Sequence, residues 1–264
     1  MPIHECHEGA RATGTLINLG NFHVPSLPEA LEVTVYLPPG YDASDSIYPL
    51  AIFFDGQNMF DDENSYRGGW QLHRLLDYRA CRGERVPIVA AIYTSGWSRA
   101  AILSPWPRDD APGLGDQTLD WITRWLVPTL RSELRITPGP EHVLLGGASL
   151  GGLLSLYGFF RHPDQFGKVA AMSPSLGVSE GHHGPVFSYV SEASRTGGRI
   201  YLDAGERECE CTSIMRHTGE MASLLMHKGY REGIDLLQRA DPDGAHDEAS
   251  WKRRLPGAIQ FLCE

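Results

Sequence analysis

The most constraining stretch of this 264-residue chain is Gly147-Ala148-Ser149-Leu150-Gly151, which fits G-x-S-x-G. The apolar run Val143-Leu144-Leu145 leads into it, and Leu153, Leu154, Leu156 and Tyr157 lead out at helical spacing. The pattern predicts a strand, a sharp turn with a serine at its apex, and a helix. The glycines answer a physical need, because the turn is strained and the chain packs too closely there for side chains. The N-terminus of the following helix favours negative charge developing beside Ser149. Ser149 is therefore the candidate nucleophile.

The rest of the chain repeats that unit in looser form: a short apolar run, a Gly/Pro/Asp loop, then a helical pattern. This alternation implies βα units around a largely parallel sheet. Strands are expected at 31–37, 50–54, 86–93, 142–146, 168–172, 199–203 and 234–238. Leu50–Phe54 is apolar throughout, as suits a strand covered on both faces. Helices are expected at 119–134, with a kink at Pro128, at 214–227, closed by Gly229, and at 249–262. No repeat, low-complexity tract or linker divides the chain, so residues 1–264 read as one domain.

Composition narrows the function. The chain is 42% hydrophobic and 21% charged, and it carries 33 acidic against 23 basic residues for a net charge of −10. Such a chain can bury a core, and its acidic surface argues against nucleic acid and anionic membrane as partners. No apolar run approaches the roughly 20 residues of a membrane span, and the start has no secretory pattern. The five scattered cysteines then read as reduced thiols in a cytoplasmic protein.

A serine at such a turn is followed in chain order by an acidic residue and then a histidine. Of the 11 histidines, only His217, His227 and His246 come late enough. His217 and His227 fall on an amphipathic helix, where solvated side chains are expected. His246 lies in the loop Asp241-Pro242-Asp243-Gly244-Ala245-His246, directly after a strand, where a base can reach the serine hydroxyl. The acid is expected in the loop after strand 199–203, which offers Asp203, Glu206, Glu208 and Glu210. Spacing does not choose among them.

Further motifs are Tyr36-Leu37-Pro38-Pro39-Gly40-Tyr41, Phe53-Phe54-Asp55-Gly56-Gln57-Asn58-Met59-Phe60, Ser173-Pro174-Ser175, Gly205-x-x-Glu208, and Gly244-Ala245-His246-Asp247-Glu248-Ala249-Ser250-Trp251. Together with the serine turn they resemble the esterase D family of α/β-hydrolases, over nearly the whole chain and most closely its enterochelin-esterase-like branch. The resemblance implies an α/β-hydrolase fold, a mostly parallel central sheet flanked by helices on both faces. It implies Glu208 as the acid, because the family carries its carboxylate three residues after this glycine, and His246 as the base. It places the oxyanion hole at the backbone amides of Gln57 and Leu150. The loop after Leu50–Phe54 adjoins the nucleophile strand in this fold, which supports the Gln57 assignment independently. Asp55 reads as loop structure. Arg99-Ala100-Ala101-Ile102 keeps a family arginine but has Ile102 where a glutamate often stands.

The implied activity is cofactor-independent hydrolysis of a carboxylic ester through an acyl-enzyme, on siderophore-type, aromatic or short acyl esters. An acyltransferase or thioesterase would use the same triad, and a non-catalytic binding protein would keep the scaffold alone. Trp70, Trp97, Arg99 and Trp106 are expected in loops at the carboxyl edge of the sheet, where Trp70, Trp97 and Arg99 would suit an aromatic or carboxylate-bearing acyl group. Trp251 is expected to pack beneath His246. No metal is expected: Cys209-Glu210-Cys211 and His4-x-Cys6-His7 lack a second ligand pair, and His182-His183 reads as a solvated loop.

Overall fold

In the computed structural model, which describes residues 13–63, 65–94, 96–108, 110–179, 182–208 and 212–263, the chain opens on strands Thr15–Phe22 (β1) and Leu31–Leu37 (β2). There follow Leu50–Phe54 (β3), helix Leu72–Cys81 (α1) and Ile88–Ile92 (β4). A short helix Arg99–Ile102 (α2) precedes one long helical run. That run comprises Gly115–Trp121 (α3), a π-turn at Ile122–Leu126 and Val127–Glu133 (α4). Val143–Ala148 (β5) feeds Leu150–Arg161 (α5), followed by Lys168–Met172 (β6). The two-stranded ribbon Gly177–Ser179 (β7) and His182–His183 (β8) leads to Val186–Glu192 (α6). The chain closes with Arg199–Gly205 (β9), Thr212–His227 (α7), Leu236–Asp241 (β10) and Glu248–Cys263 (α8).

Eight strands form one sheet in the order β1-β2-β4-β3-β5-β6-β9-β10. The first two ladders are antiparallel and all the others parallel. This is the α/β-hydrolase arrangement. β3 and β4 are buried at every position, because helices cover both faces. Alternate β3 side chains divide between the two layers. Leu50, Ile52 and Phe54 meet α3, α4 and α5, whereas Ala51 and Phe53 meet α1 and α8. A third cluster joins β6 and β9 to α5, α6 and α7. Among the described residues no helix is long and apolar enough to cross a membrane.

Several expectations shift, among them His182-His183, which form strand β8 rather than a loop, with the His183 ring stacked on Phe187 and 2.7 Å from Glu220 Oε2. The helical run starts at Gly115 rather than 119, and its irregularity is a π-turn at Ile122–Leu126, just before Pro128. Proline lacks the N–H that would meet the carbonyl one turn back, and the π-turn just before it absorbs the mismatch. Strand β10 begins at Leu236 rather than 234. Gly233 has φ 77°, and the Asp235 carboxylate accepts from the Arg231 amide, so Ile234 is turned outward, 53% exposed. His217 is buried at 1% exposure instead of solvated, because its helix face packs under the β7–β8 ribbon, where its ring meets His183 and Phe187. Strand β1 carries no regular apolar alternation, since it is an edge strand with most residues exposed.

Candidate active site

The site forms at the carboxyl ends of β3, β5, β9 and β10. Ser149 sits between β5 and α5 at φ 56°, ψ −119°, a conformation costing about 1–3 kcal/mol outside a supporting fold. The support is tight packing: a Cβ on Gly147 would lie 2.8 Å from the Gly151 backbone. The Ser149 amide donates to the Met172 carbonyl at 2.9 Å and Leu153 closes the first helical turn on the Ser149 carbonyl at 3.0 Å.

Ser149 Oγ lies 3.0 Å from His246 Nε2, and His246 Nδ1 lies 2.9 Å from Glu208 Oε2. Two glycines make this meeting possible. A Cβ on Gly205 would stand 2.1 Å from the Gly244 carbonyl oxygen, so the loops after β9 and β10 touch backbone to backbone, sealed by Arg207 N–H donating to Gly244 O at 2.9 Å. His246 is then presented by the start of α8. Asp247 Oδ1 accepts the Ser250 amide at 2.8 Å as an N-cap, and Ser250 Oγ accepts the Ala245 amide at 2.9 Å. The Trp251 ring stands edge-on to the imidazole at 5.0 Å.

Behind Glu208 most polar groups find partners, although Arg254 Nη1 is buried without a hydrogen bond. Glu208 Oε1 accepts the Gly205 amide at 2.7 Å and the Ser173 hydroxyl at 2.6 Å. Ser173 Oγ accepts in turn from Trp251 Nε1 at 2.9 Å and from an Arg254 terminal nitrogen at 2.7 Å. Arg254 Nε donates to Asp203 Oδ2 at 3.0 Å. Asp203 also accepts from the Ser173 amide and the Tyr201 hydroxyl, each at 3.0 Å. Full burial pushes the Asp203 carboxyl up to about 6, against the pull of Arg254. Of the four acids left open by spacing, Glu208 meets the imidazole and Asp203 supports it from below. Glu206 has no such contact among the described residues, and Glu210 lies outside them. Ser173 and Arg254 also belong to this network, beyond the residues that the motifs assign to the site. The signals were present: Ser173 opens the Ser-Pro-Ser motif, and Arg254 lies three residues beyond Trp251, hence on one helix face.

A cavity of about 550 Å³ opens on Ser149 and His246, lined also by Gln57, Trp70, Arg99 and Glu248. Among the described residues the Gln57 and Leu150 amides donate to no protein acceptor. Asp55, just before Gln57, is left-handed at φ 56°. Its carboxylate takes Arg99 in a two-pronged pair at 2.6 and 2.7 Å, and its amide donates to Thr94 Oγ1 at 3.0 Å. Burial works to lower the Arg99 guanidinium, but Asp55 overrides this and holds it above its usual value. Asp55 is thus loop structure, and the nitrogens of Arg99 that face it are not free for an acyl carboxylate. Trp70 is buried, with its ring 5.9 Å from Trp251. Trp97 is 81% exposed and does not line the cavity. Trp106 packs on Tyr157 and Tyr189.

Cys6, Cys209, Glu210 and Cys211 lie outside the described residues. Elsewhere His183, His217 and Glu220 bring candidate ligand atoms within 4.8 Å of one another. There Arg216 already donates to His217 Nε2 at 3.1 Å and to Glu220 Oε1 at 3.0 Å, so two of the three candidate ligands are engaged by a guanidinium.

An imidazole held between a hydroxyl and a carboxylate can take the hydroxyl proton as the oxygen attacks an electrophile, and two free amides can receive the negative charge that results. Comparison with known proteins bears on which electrophile. A family model described as "Putative esterase" matches residues 25–262. The uncharacterized protein YbbA of Bacillus subtilis is 25% identical over 241 residues, covering 87% of this chain and 91% of its own. Among solved structures, the enterobactin esterase FES of Shigella flexneri, determined with enterobactin present, aligns with TM-score 0.75 at 21% identity over 97% of this chain; the chain spans 60% of that protein. A ferulic acid esterase aligns with TM-score 0.72 at 18% identity, over 95% of this chain and 98% of its own. At these identities the structures share the fold.

Proposed function

The chain belongs to the esterase family whose model spans residues 25–262, and from that premise we propose that it is a serine hydrolase of small carboxylic esters. The observation that carries the reading is the hydrogen-bonded line Ser149–His246–Glu208 opening on the cavity. In this mechanism His246 takes the Ser149 proton as Oγ attacks the ester carbonyl. Glu208 holds the imidazole in the tautomer with its proton on Nδ1. The tetrahedral oxyanion is received by the Gln57 and Leu150 amides. His246 then gives its proton to the departing alcohol, leaving an acyl-Ser149 ester. Water, deprotonated by His246, attacks that ester and restores the serine.

Aromatic walls suit small or aromatic acyl groups. Trp70 and Trp251 supply them, and enterobactin and ferulic acid esterases stand among the structural neighbours. No cofactor is needed for these steps. The test is hydrolysis of a p-nitrophenyl ester chain-length series by the wild type and by Ser149→Ala. Activity is expected to fall on the order of 10⁴-fold or more in the variant. Equal activity in both proteins would overturn the assignment of Ser149.

A further inference from the structure

One carboxyl group at the cavity is left out of the scheme above. Glu248 lines the same cavity as Ser149 and His246, yet only 6% of it is exposed. Other buried carboxylates nearby are matched. Asp55 holds Arg99, Asp203 holds Arg254, and Glu208 accepts from Ser173, Gly205 and His246. Among the described residues Glu248 takes a hydrogen bond only from its own amide, and no ion-pair partner stands against it. Burial pushes its carboxyl above the ordinary range, although Arg67 nearby pulls the other way.

Its position at the first turn of α8 would be a sufficient account if the side chain were solvated, since an acid there complements the helix dipole. A residue only 6% exposed whose carboxylate has no side-chain partner keeps a narrow contact with solvent, and the solvation it has lost is costly unless a partner replaces it. The open side of Glu248 is the cavity, so the partner arrives with whatever fills the cavity. Resting on the esterase reading, we propose that Glu248 is a specificity-determining residue that accepts a hydrogen bond from a hydroxyl group on the ester substrate. The charge balance selects a hydroxyl over an ammonium group. The charged residues lining the cavity are Asp55 and Glu248 against Arg67 and Arg99, which is neutral as it stands. A neutral donor satisfies Glu248 without unbalancing the set.

The experiment compares matched esters by kcat/KM. On the acyl side the pairs are methyl lactate with methyl propionate, and methyl hydroxyphenylacetate with methyl phenylacetate. On the alcohol side the pair is ethylene glycol monoacetate with ethyl acetate. Alanine methyl ester is the ammonium counterpart of methyl lactate. The wild type is expected to favour the hydroxyl-bearing member of at least one pair by about tenfold or more, the worth of a hydrogen bond to a charged acceptor. Glu248→Met, which keeps the length and loses the acceptor, is expected to abolish that ratio. Glu248→Gln, which keeps a carbonyl acceptor, is expected to restore part of it. A wild-type enzyme without preference in every pair overturns the proposal, and this readout needs no variant to fold. A preference for alanine methyl ester over methyl lactate overturns the choice of a hydroxyl. Turnover that persists in Ser149→Ala overturns the esterase reading beneath it. A flat ratio with an inactive Ser149→Ala removes only the role of Glu248.

Discussion

The two sides of His246 are built differently. On the acid side, Glu208, Ser173, Arg254 and Asp203 form a buried network in which every carboxylate and hydroxyl is matched within hydrogen-bond distance and only Arg254 Nη1 is left over. On the cavity side, Trp70 Nε1 is buried without a partner, and among the described residues no other side chain hydrogen-bonds or ion-pairs with Glu248. The contrast follows from what each side must do. The acid side holds one imidazole in one orientation, and satisfied low-dielectric networks are rigid. The cavity side completes its hydrogen bonds with an incoming molecule, so its polar groups stand open before that molecule arrives.

The largest effect should come from breaking the matched side. Arg254→Met removes the cation beside fully buried Asp203, and breaking a buried pair from one end costs about 3–5 kcal/mol. Chemical denaturation should show that loss, together with a fall in kcat as Ser173 and Glu208 lose their support. A loss below about 1 kcal/mol would mean that the network does not hold this side together.

Acidity sharpens the same point with a smaller effect. The folded Asp203 carboxyl, at about 6, lies above the ordinary carboxylate value of about 4. The folded state therefore binds this proton more tightly than the unfolded chain does. The stability contributed by that proton is complete below about pH 4 and is lost as pH rises through about 6. The difference in melting temperature between the wild type and Asp203→Asn should accordingly shrink, or turn against the wild type, as pH rises across that window. A difference that is flat or grows would contradict the assigned direction.

The smallest effect is expected at Trp97, which stands outside both regions. Trp97→Ala should change stability by no more than about 0.5 kcal/mol and leave the kcat/KM ratios of the ester pairs as they are. A changed ratio would extend the open side to this tryptophan.

How far each region is legible in sequence follows the same division. Strands β2, β3 and β6 match their expected limits, because short apolar runs between Gly and Pro signals mark covered strands. Ser149 is announced by its turn, and His246 by chain order and its loop. Glu208 stands out through family resemblance, since four carboxylates in one loop look alike to spacing. β1 and α6 carry weak signals, the first because an edge strand needs no buried face. The fates of Trp70, Trp97 and Trp106 diverge although the three are similar in sequence. Burial depends on what packs above them, and that comes from distant segments.

The sequence by itself determined the local chemistry: a strained serine turn, a loop histidine, and covered strands that can only be the middle of a sheet. These rest on backbone stereochemistry and on apolar patterns read within a few residues. The tertiary structure alone decided which carboxylates are matched. Asp55 and Arg99 are 44 residues apart, Ser173 and Arg254 are 81 apart, and Glu208 and His246 meet only because two glycines let two loops touch. Hydrogen bonding depends on distances in space that no local pattern encodes. For that reason Glu248, which reads in sequence as a helix-start acid, is distinguished by the empty space it faces.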